Sequence, residues 1–203
     1  MTFIKGDLCE LRVLERSDHE AATFTKAVNA GLTTKFLLTG SVPMRAIDIK
    51  EVWEREAKAG SVEFGIWAIK KQHEHEGGIA CGKNCAGDGE ASFIGTCGLF
   101  SHRDIYRSWE FRILIFDPSA IGHGIGTEAT RMTVRYAFER MNAHRVWLGV
   151  HAENLGAIKC YEKCGFVREG VLREELFTFG KYADAVRYGL LEQEWKSSSQ
   201  ATA

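Results

Sequence analysis

Between Ser119 and Arg131 the chain places glycine at alternate positions, Gly122, Gly124 and Gly126, immediately ahead of a run with helical periodicity. The first amides of a helix have no intrahelical partner and lie at the positive end of its dipole, so anions bind there readily. Without side chains in the way, an anion can reach those amides. Glycines at a turn also serve simply to reach left-handed backbone angles. The chemistry this spacing suits is capture of a phosphate or pyrophosphate.

Other reactive side chains point less far. His73, His75, Cys81 and Cys85 give H-x-H followed by C-x3-C in one polar, glycine-rich segment. That spacing is not a familiar zinc pattern, and the four read as loop residues with no metal. Cys160 and Cys164 lie one helical turn apart, where redox sensitivity competes with a role as small buried hydrophobes. A cysteine nucleophile needs an oriented histidine, and neither His144 nor His151 sits in a motif that supplies one. The five tryptophans are spread along the chain rather than grouped as a stacking platform.

Phosphate sites come in several designs. The P-loop pattern GxxxxGK[ST] is absent. Gly124, Gly126 and Ala129 do spell GxGxxA, with Glu153 as a stand-in for the ribose-binding acid, but the motif arrives past the midpoint of the chain. Too little sequence follows for the two halves of a doubly wound dinucleotide fold.

Lys plus Arg number 26 against 27 for Asp plus Glu, a formal charge of -1, so no global field recruits nucleic acid or an anionic membrane. With 203 residues and 45% hydrophobic composition, the chain suits one globular domain with a substantial core. Six scattered cysteines and the absence of a long apolar run place it in a reducing cytoplasm with free thiols.

Periodicity supplies the elements that position the glycine turn. Alternation at Leu11 and Val13 predicts a strand, followed by a helix capped at Ser17 or Asp18 and a second helix around Ile49–Ala57. VEFGIWAIK and SFIGTCGLF read as strands separated by a long mobile loop, residues 72–91. WEFRILIF has aliphatic residues on both faces, which suits a central strand ending at Asp117 and Pro118. After the turn, TEATRMTVRYAFERM carries a helical stripe, RVWLGVH is a strand, and Asn154 caps a helix over Leu155–Cys164 that Gly165 closes. FVREGVL and ADAVRYGLLEQEW complete about seven strands, in one domain over residues 1–196 with a disordered tail at 197–203.

GHGIGTEA, followed by HAENLGAIKCYEKCGFVREGVLRE, resembles the GNAT superfamily of N-acetyltransferases, in which a Q/R-x-x-G-x-G/A turn precedes an Asn, Ala, Tyr, Gly-Phe segment. The matching residues are Gly124, Gly126, Asn154, Ala157, Tyr161, Gly165 and Phe166. LRVLERSD and GVLREELFTFGKYADAVRYGLLEQEW look like the branch containing the ribosomal-protein N-terminal acetyltransferases. The resemblance extends over nearly the whole chain, most sharply between Trp109 and Leu172. One position departs: Ile121 stands where the family has Gln or Arg, and His123 either compensates by facing a phosphate oxygen or faces solvent.

The resemblance implies a mixed, centrally splayed α/β sheet with helices on both faces, and acetyl-CoA as co-substrate. Its pyrophosphate and pantetheine are expected against Ile115, Phe116, Ile121, Gly122, His123, Gly124, Ile125, Gly126, Thr127, Asn154 and Ala157. Tyr161 occupies the position of the general acid that protonates the departing sulfur; a core tyrosine is the competing role. Glu110 matches an acidic position of the branch and is the candidate base, with a structural salt bridge to Arg112 as the competing explanation. The implied reaction is acetyl transfer to a primary amine, either a protein N-terminus or a small amine. The acceptor is expected to meet the first two helices, the FLLTGSVPMR loop and the LREELFTFGKY segment. An acyl-CoA-binding sensor or scaffold and a nucleotide-binding oxidoreductase are the alternatives, and a homodimer is left open.

Overall fold

The computed structural model describes residues 1–30, 36, 43–69 and 91–200. Eight strands are present: β1 (Thr2–Lys5), β2 (Cys9–Val13), β3 (Val62–Ile69), β4 (Ala91–Arg103), β5 (Ser108–Ile115), β6 (Arg145–His151), β7 (Val167–Thr178) and β8 (Lys181–Leu191). The helices are α1 (Asp18–Val28), α2 (Ala46–Lys58), α3 (Ile125–Arg140), α4 (Leu155–Lys163) and α5 (Glu192–Gln200). His73, His75, Cys81, Cys85 and nearly all of the expected 72–91 loop lie outside the described residues. Among those residues no helix is long and apolar enough to cross a membrane.

All the strands join one sheet in the order β1-β2-β3-β4-β5-β6-β8-β7. Every neighbouring pair is antiparallel except β5 and β6. That parallel pair is in register only from Ser108 with Arg145 to Glu110 with Trp147. Beyond Glu110 the two strands part, while β5 stays bonded to β4 as far as Ile115 opposite Gly95. β6 likewise stays bonded to β8 as far as His151 opposite Ala185. The splayed centre that the resemblance implied is therefore present.

Alternation along β5 divides its side chains between two layers. Phe111 meets Tyr161 and Phe166 on the α3/α4 side, with ring centroids 6.4 Å away in each case. Just past β5, Phe116 meets Phe24 of α1 and Phe93 of β4 on the other side. Under α1 and α2 a small core forms from Leu14, Ala21, Ile49 and Trp53. Helix α1 opens with a capping box: Ser17 Oγ accepts the Glu20 amide, and the Glu20 carboxylate accepts the Ser17 amide at 3.0 Å.

The expected sheet of about seven strands is present with eight, MTFIK pairing with β2 at the edge. Four residues carry little periodic signal, and what holds β1 is remote in sequence. Phe3 stacks on Phe64 at 5.5 Å, and the Glu128 carboxylate of α3 accepts the amides of Asp7, Leu8 and Cys9 at 2.9, 2.9 and 2.8 Å. The last strand ends at Leu191 rather than running through Trp195, and α5 continues to Gln200, past the expected start of a tail. The Glu194 carboxylate accepts the Leu191 amide at 2.8 Å, and Trp195 stacks on Phe138 at 5.3 Å.

Glu128 holds the first turn of α3 against the β1–β2 turn. A Cβ at Gly6 would lie 2.5 Å from Glu128 Oε2, so the close approach requires glycine there. Burial raises the Glu128 carboxyl, but the three amides outweigh that and hold it below its ordinary range. Glu128→Ala strands those amides and should cost about 2–3 kcal/mol. Calorimetric melting is expected to show this as a fall of roughly 5–10 °C, with Gly6→Ala acting in the same direction; unchanged melting in both would remove Glu128 as an anchor.

Candidate active site

The glycine turn follows directly from the end of β5. Asp117 accepts the Ser119 amide at 2.9 Å and its hydroxyl at 2.7 Å, fixing the 3-10 turn Pro118–Ala120. Gly122 and Gly124 then adopt φ of 86° and 85°, the left-handed region where a Cβ costs energy. Gly124 is the N-cap of α3 and has no side chain to offer. The first helical bond runs from the Glu128 amide to the Gly124 carbonyl at 3.0 Å, so the amides of Ile125, Gly126 and Thr127 have no helical acceptor. Ile125 is buried and anchors the turn, whereas Ile121 is 61% exposed. A Cβ at Gly126 would meet only the tip of Ile115, Cδ1 at 3.3 Å. This cradle fits an anionic diphosphate bound through main-chain donors, for which the identity of residue 121 matters little.

The other expected ligands divide by what already occupies them. The Thr127 hydroxyl donates to Cys160 Sγ at 3.4 Å, leaving the Thr127 amide as its free donor. The Phe116 amide is committed to the Ile94 carbonyl at 3.0 Å and its ring packs on Phe24 and Phe93. Asn154 does cap α4, its Oδ1 accepting the Ala157 amide at 3.2 Å, and its Nδ2 remains a donor. His123 is exposed on the turn.

Tyr161 and Glu110 flank the point where β5 and β6 separate. Tyr161 is buried, its ring edge-on to Phe111 and Phe166. Burial, with Cys160 and Cys164 beside it, pushes the phenol further up, so it stays protonated at neutral pH. Glu110 forms the last paired position with β6 and alternates to the face opposite Phe111. Its carboxylate receives Arg112 Nη2 at 2.7 Å, and the guanidinium lies 4.2 Å above the Phe100 ring. The salt bridge raised as a competing explanation is thus formed. A proton donor on one face and a carboxylate on the other bracket the opening of the gap.

Glu63 was missed from the sequence, where it falls between the apolar positions of VEFGIWAI. It pairs across β4 Gly98, which in turn pairs with Arg112. A Cβ at Gly98 would sit 3.1 Å from Glu63 Cγ and 3.1 Å from the Phe100 ring, so the missing side chain makes room for both. Burial raises Glu63 to about 7; Arg16 and Arg112 oppose that rise, and Glu56 adds to it. Glu63 Oε2 and Arg16 Nε are buried without a hydrogen-bond partner among the described residues. His151, also buried, accepts the Glu153 amide at Nδ1 at 3.2 Å and meets the Phe36 ring edge at 5.3 Å. Among the described residues no three His, Cys, Asp or Glu side chains are grouped to hold a metal ion.

The acetyltransferase (GNAT) domain model matches residues 9–167. A spermidine N(1)-acetyltransferase of Vibrio cholerae is 36% identical over 113 residues, 56% of this chain and 65% of its own length. The corresponding Escherichia coli protein is 34% identical over 108 residues, 53% of this chain and 56% of its own. The chain thus aligns with less than two thirds of the length of these curated relatives. The crystal structure of the Vibrio cholerae enzyme in complex with CoA and spermine superposes with a TM-score of 0.75 at 26% identity, covering 94% of this chain and 99% of that one. This chain belongs to the GNAT acetyltransferase family. The ribosomal-protein branch is not singled out, since the relatives just described are named for spermidine.

Two measurements probe this geometry. An Asp near the start of α3 complements the helix dipole and meets only a flexible Ile115 tip, so Gly126→Asp should keep its melting temperature. Its carboxylate competes for the cradle, and titration calorimetry should show CoA bound at least about tenfold more weakly; equal affinity would dissociate the turn from the ligand. A carboxyl raised from 4.5 to about 7 on folding gives stability that is full at acid pH and lost as pH rises through about 7. Glu63→Gln should therefore match the parent near pH 4.5 and exceed it at pH 8 by on the order of 2–3 kcal/mol. Parallel stability curves would place Glu63 in water instead.

Proposed function

We propose that this chain is an acetyl-CoA-dependent N-acetyltransferase that acetylates a small primary amine of the polyamine class by direct attack in a ternary complex. The observation that carries this reading is the interrupted β5–β6 pairing beside an uncapped, glycine-lined helix start. Acetyl-CoA supplies the activated acyl group. The amides of Ile125, Gly126 and Thr127 hold its diphosphate, and the edge of β5 beyond Glu110 offers backbone groups to an extended arm, as to an added strand. Asn154 Nδ2 adds a donor at the head of α4.

Two protons must move as the N–C bond forms and the C–S bond breaks. The amine is an ammonium ion at neutral pH and cannot attack until it is deprotonated, a task assigned to Glu110. Glu110 and Glu63 also make the approach favourable for a cation. Tyr161, held neutral by burial, returns a proton to the departing sulfur from the opposite face of the sheet. The small-amine acceptor is supported by the spermidine-acetylating relatives; a protein N-terminus is the alternative acceptor class, and a non-catalytic acyl-CoA sensor is the alternative function.

The deciding experiment follows release of the CoA thiol from acetyl-CoA with spermidine, an aminoglycoside and a short peptide, against an acceptor-free blank. Spermidine is expected to accelerate release at least about tenfold; no acceleration by any acceptor would leave only a binding domain. In the same assay Tyr161→Phe should lower kcat by on the order of 100-fold, with KM for acetyl-CoA within about twofold. Unchanged turnover would return Tyr161 to a purely structural role.

A further inference from the structure

Glu110 and Trp147 are the last register partners before β5 and β6 part. Neighbours in register project on the same face, so both side chains leave the sheet together on the α1/α2 side, at the closed end of the gap. On β8 the partner of Trp147 is Gly189, and Arg187 is the partner of Gly149. With no side chain at either glycine, Arg187 leans diagonally across, and its guanidinium carbon stands 4.0 Å from the centroid of the Trp147 ring. Both residues are half-buried. Arg145 and Glu169 cross over Gly189 and bond each other at 2.5 Å. That bond does most to hold the Glu169 carboxyl below its ordinary range, and the charge of Arg187 adds to it.

We propose that the face of Trp147 under Arg187 is a subsite for a second ammonium group of the acceptor, and that Arg187 fills it as a stand-in cation which the acceptor displaces. An aromatic face attracts a cation through its quadrupole, tryptophan most strongly, and the attraction acts within roughly 6 Å of the ring centroid. A ring that holds a guanidinium this closely holds an alkylammonium by the same force. The spacing fits a diamine. Adjacent strands run about 4.8 Å apart, and two nitrogens joined by three methylenes lie about 5 Å apart when extended. With the reacting nitrogen at Glu110, the second reaches the neighbouring ring.

Placing the reacting nitrogen at Glu110 rests on the acetyl-transfer reading, whereas the cation-binding ring does not. Once displaced, Arg187 has the Glu169 carboxylate to turn to, so its charge stays compensated while the ring changes partner. A monoamine gains nothing from the ring. The subsite therefore selects diamines and longer polyamines, and Arg187 sets how tightly they bind by competing for the same face.

Titration calorimetry on the CoA-loaded chain, with spermidine and propylamine as probes, tests this. Spermidine is expected to bind at least about tenfold more tightly than propylamine. Trp147→Leu should weaken spermidine about fivefold and leave propylamine within about twofold, with Trp147→Phe between the parent and Trp147→Leu. Arg187→Gln should tighten spermidine, and the gain should vanish when combined with Trp147→Leu, a coupling that long-range charge alone would not produce. Melting curves confirm the fold of each variant. Equal spermidine affinity in the parent and Trp147→Leu, or the same Arg187→Gln effect in both backgrounds, would overturn the subsite. The thiol-release assay separates this outcome from the fate of the proposed reaction. Spermidine held at the ring with no thiol released would end the acetyl-transfer reading and leave the subsite standing. Release equally fast with both amines and unmoved by Trp147→Leu would end the subsite alone.

Discussion

The structure depends on where backbone hydrogen bonding stops. β5 and β6 share three register positions and then separate, although each continues to bond its other neighbour. Inside a folded sheet an unpaired strand edge is costly unless something else supplies donors and acceptors. A cleft lined by main-chain groups is thereby built into the middle of the domain. It opens beside a helix whose first amides have no acceptor among the described residues, so one extended, anion-tipped molecule can satisfy both deficits.

Keeping that cleft open requires packing from two directions. On one face Phe111, Tyr161 and Phe166 interlock beneath α3 and α4; on the other Phe93 and Phe116 meet α1. Glu128 adds a third fixed point by tying the start of α3 to the β1–β2 turn, 119 to 121 residues away in sequence. The helix start is thus positioned by contacts that leave its first amides without acceptors among the described residues.

Electrostatics divides the same region by face. Glu110, Arg112 and Glu63 lie side by side on the α1/α2 face, with Arg112 bonded to Glu110 and the Glu63 carboxyl raised by burial. The α3/α4 side gathers hydroxyls and thiols around Tyr161, whose phenol burial keeps protonated.

Local chemistry made much of this legible. The left-handed turn at Gly122 and Gly124, the Asn154 cap, the Ser17 capping box and the central strand are all consequences of residue type and spacing within a few positions. The short β1, the helix at Glu192–Gln200 and the role of Glu63 were not legible, because each rests on contacts across the fold: Phe3 on Phe64, Trp195 on Phe138, and a glycine on β4 that leaves room for Glu63 beside the Phe100 ring. The sequence by itself determined the turn, its free amides and the residue types around them. Only the tertiary structure decided which faces Glu110 and Tyr161 present and how far Glu63 is buried, since those properties belong to distances between strands and helices that no local pattern encodes.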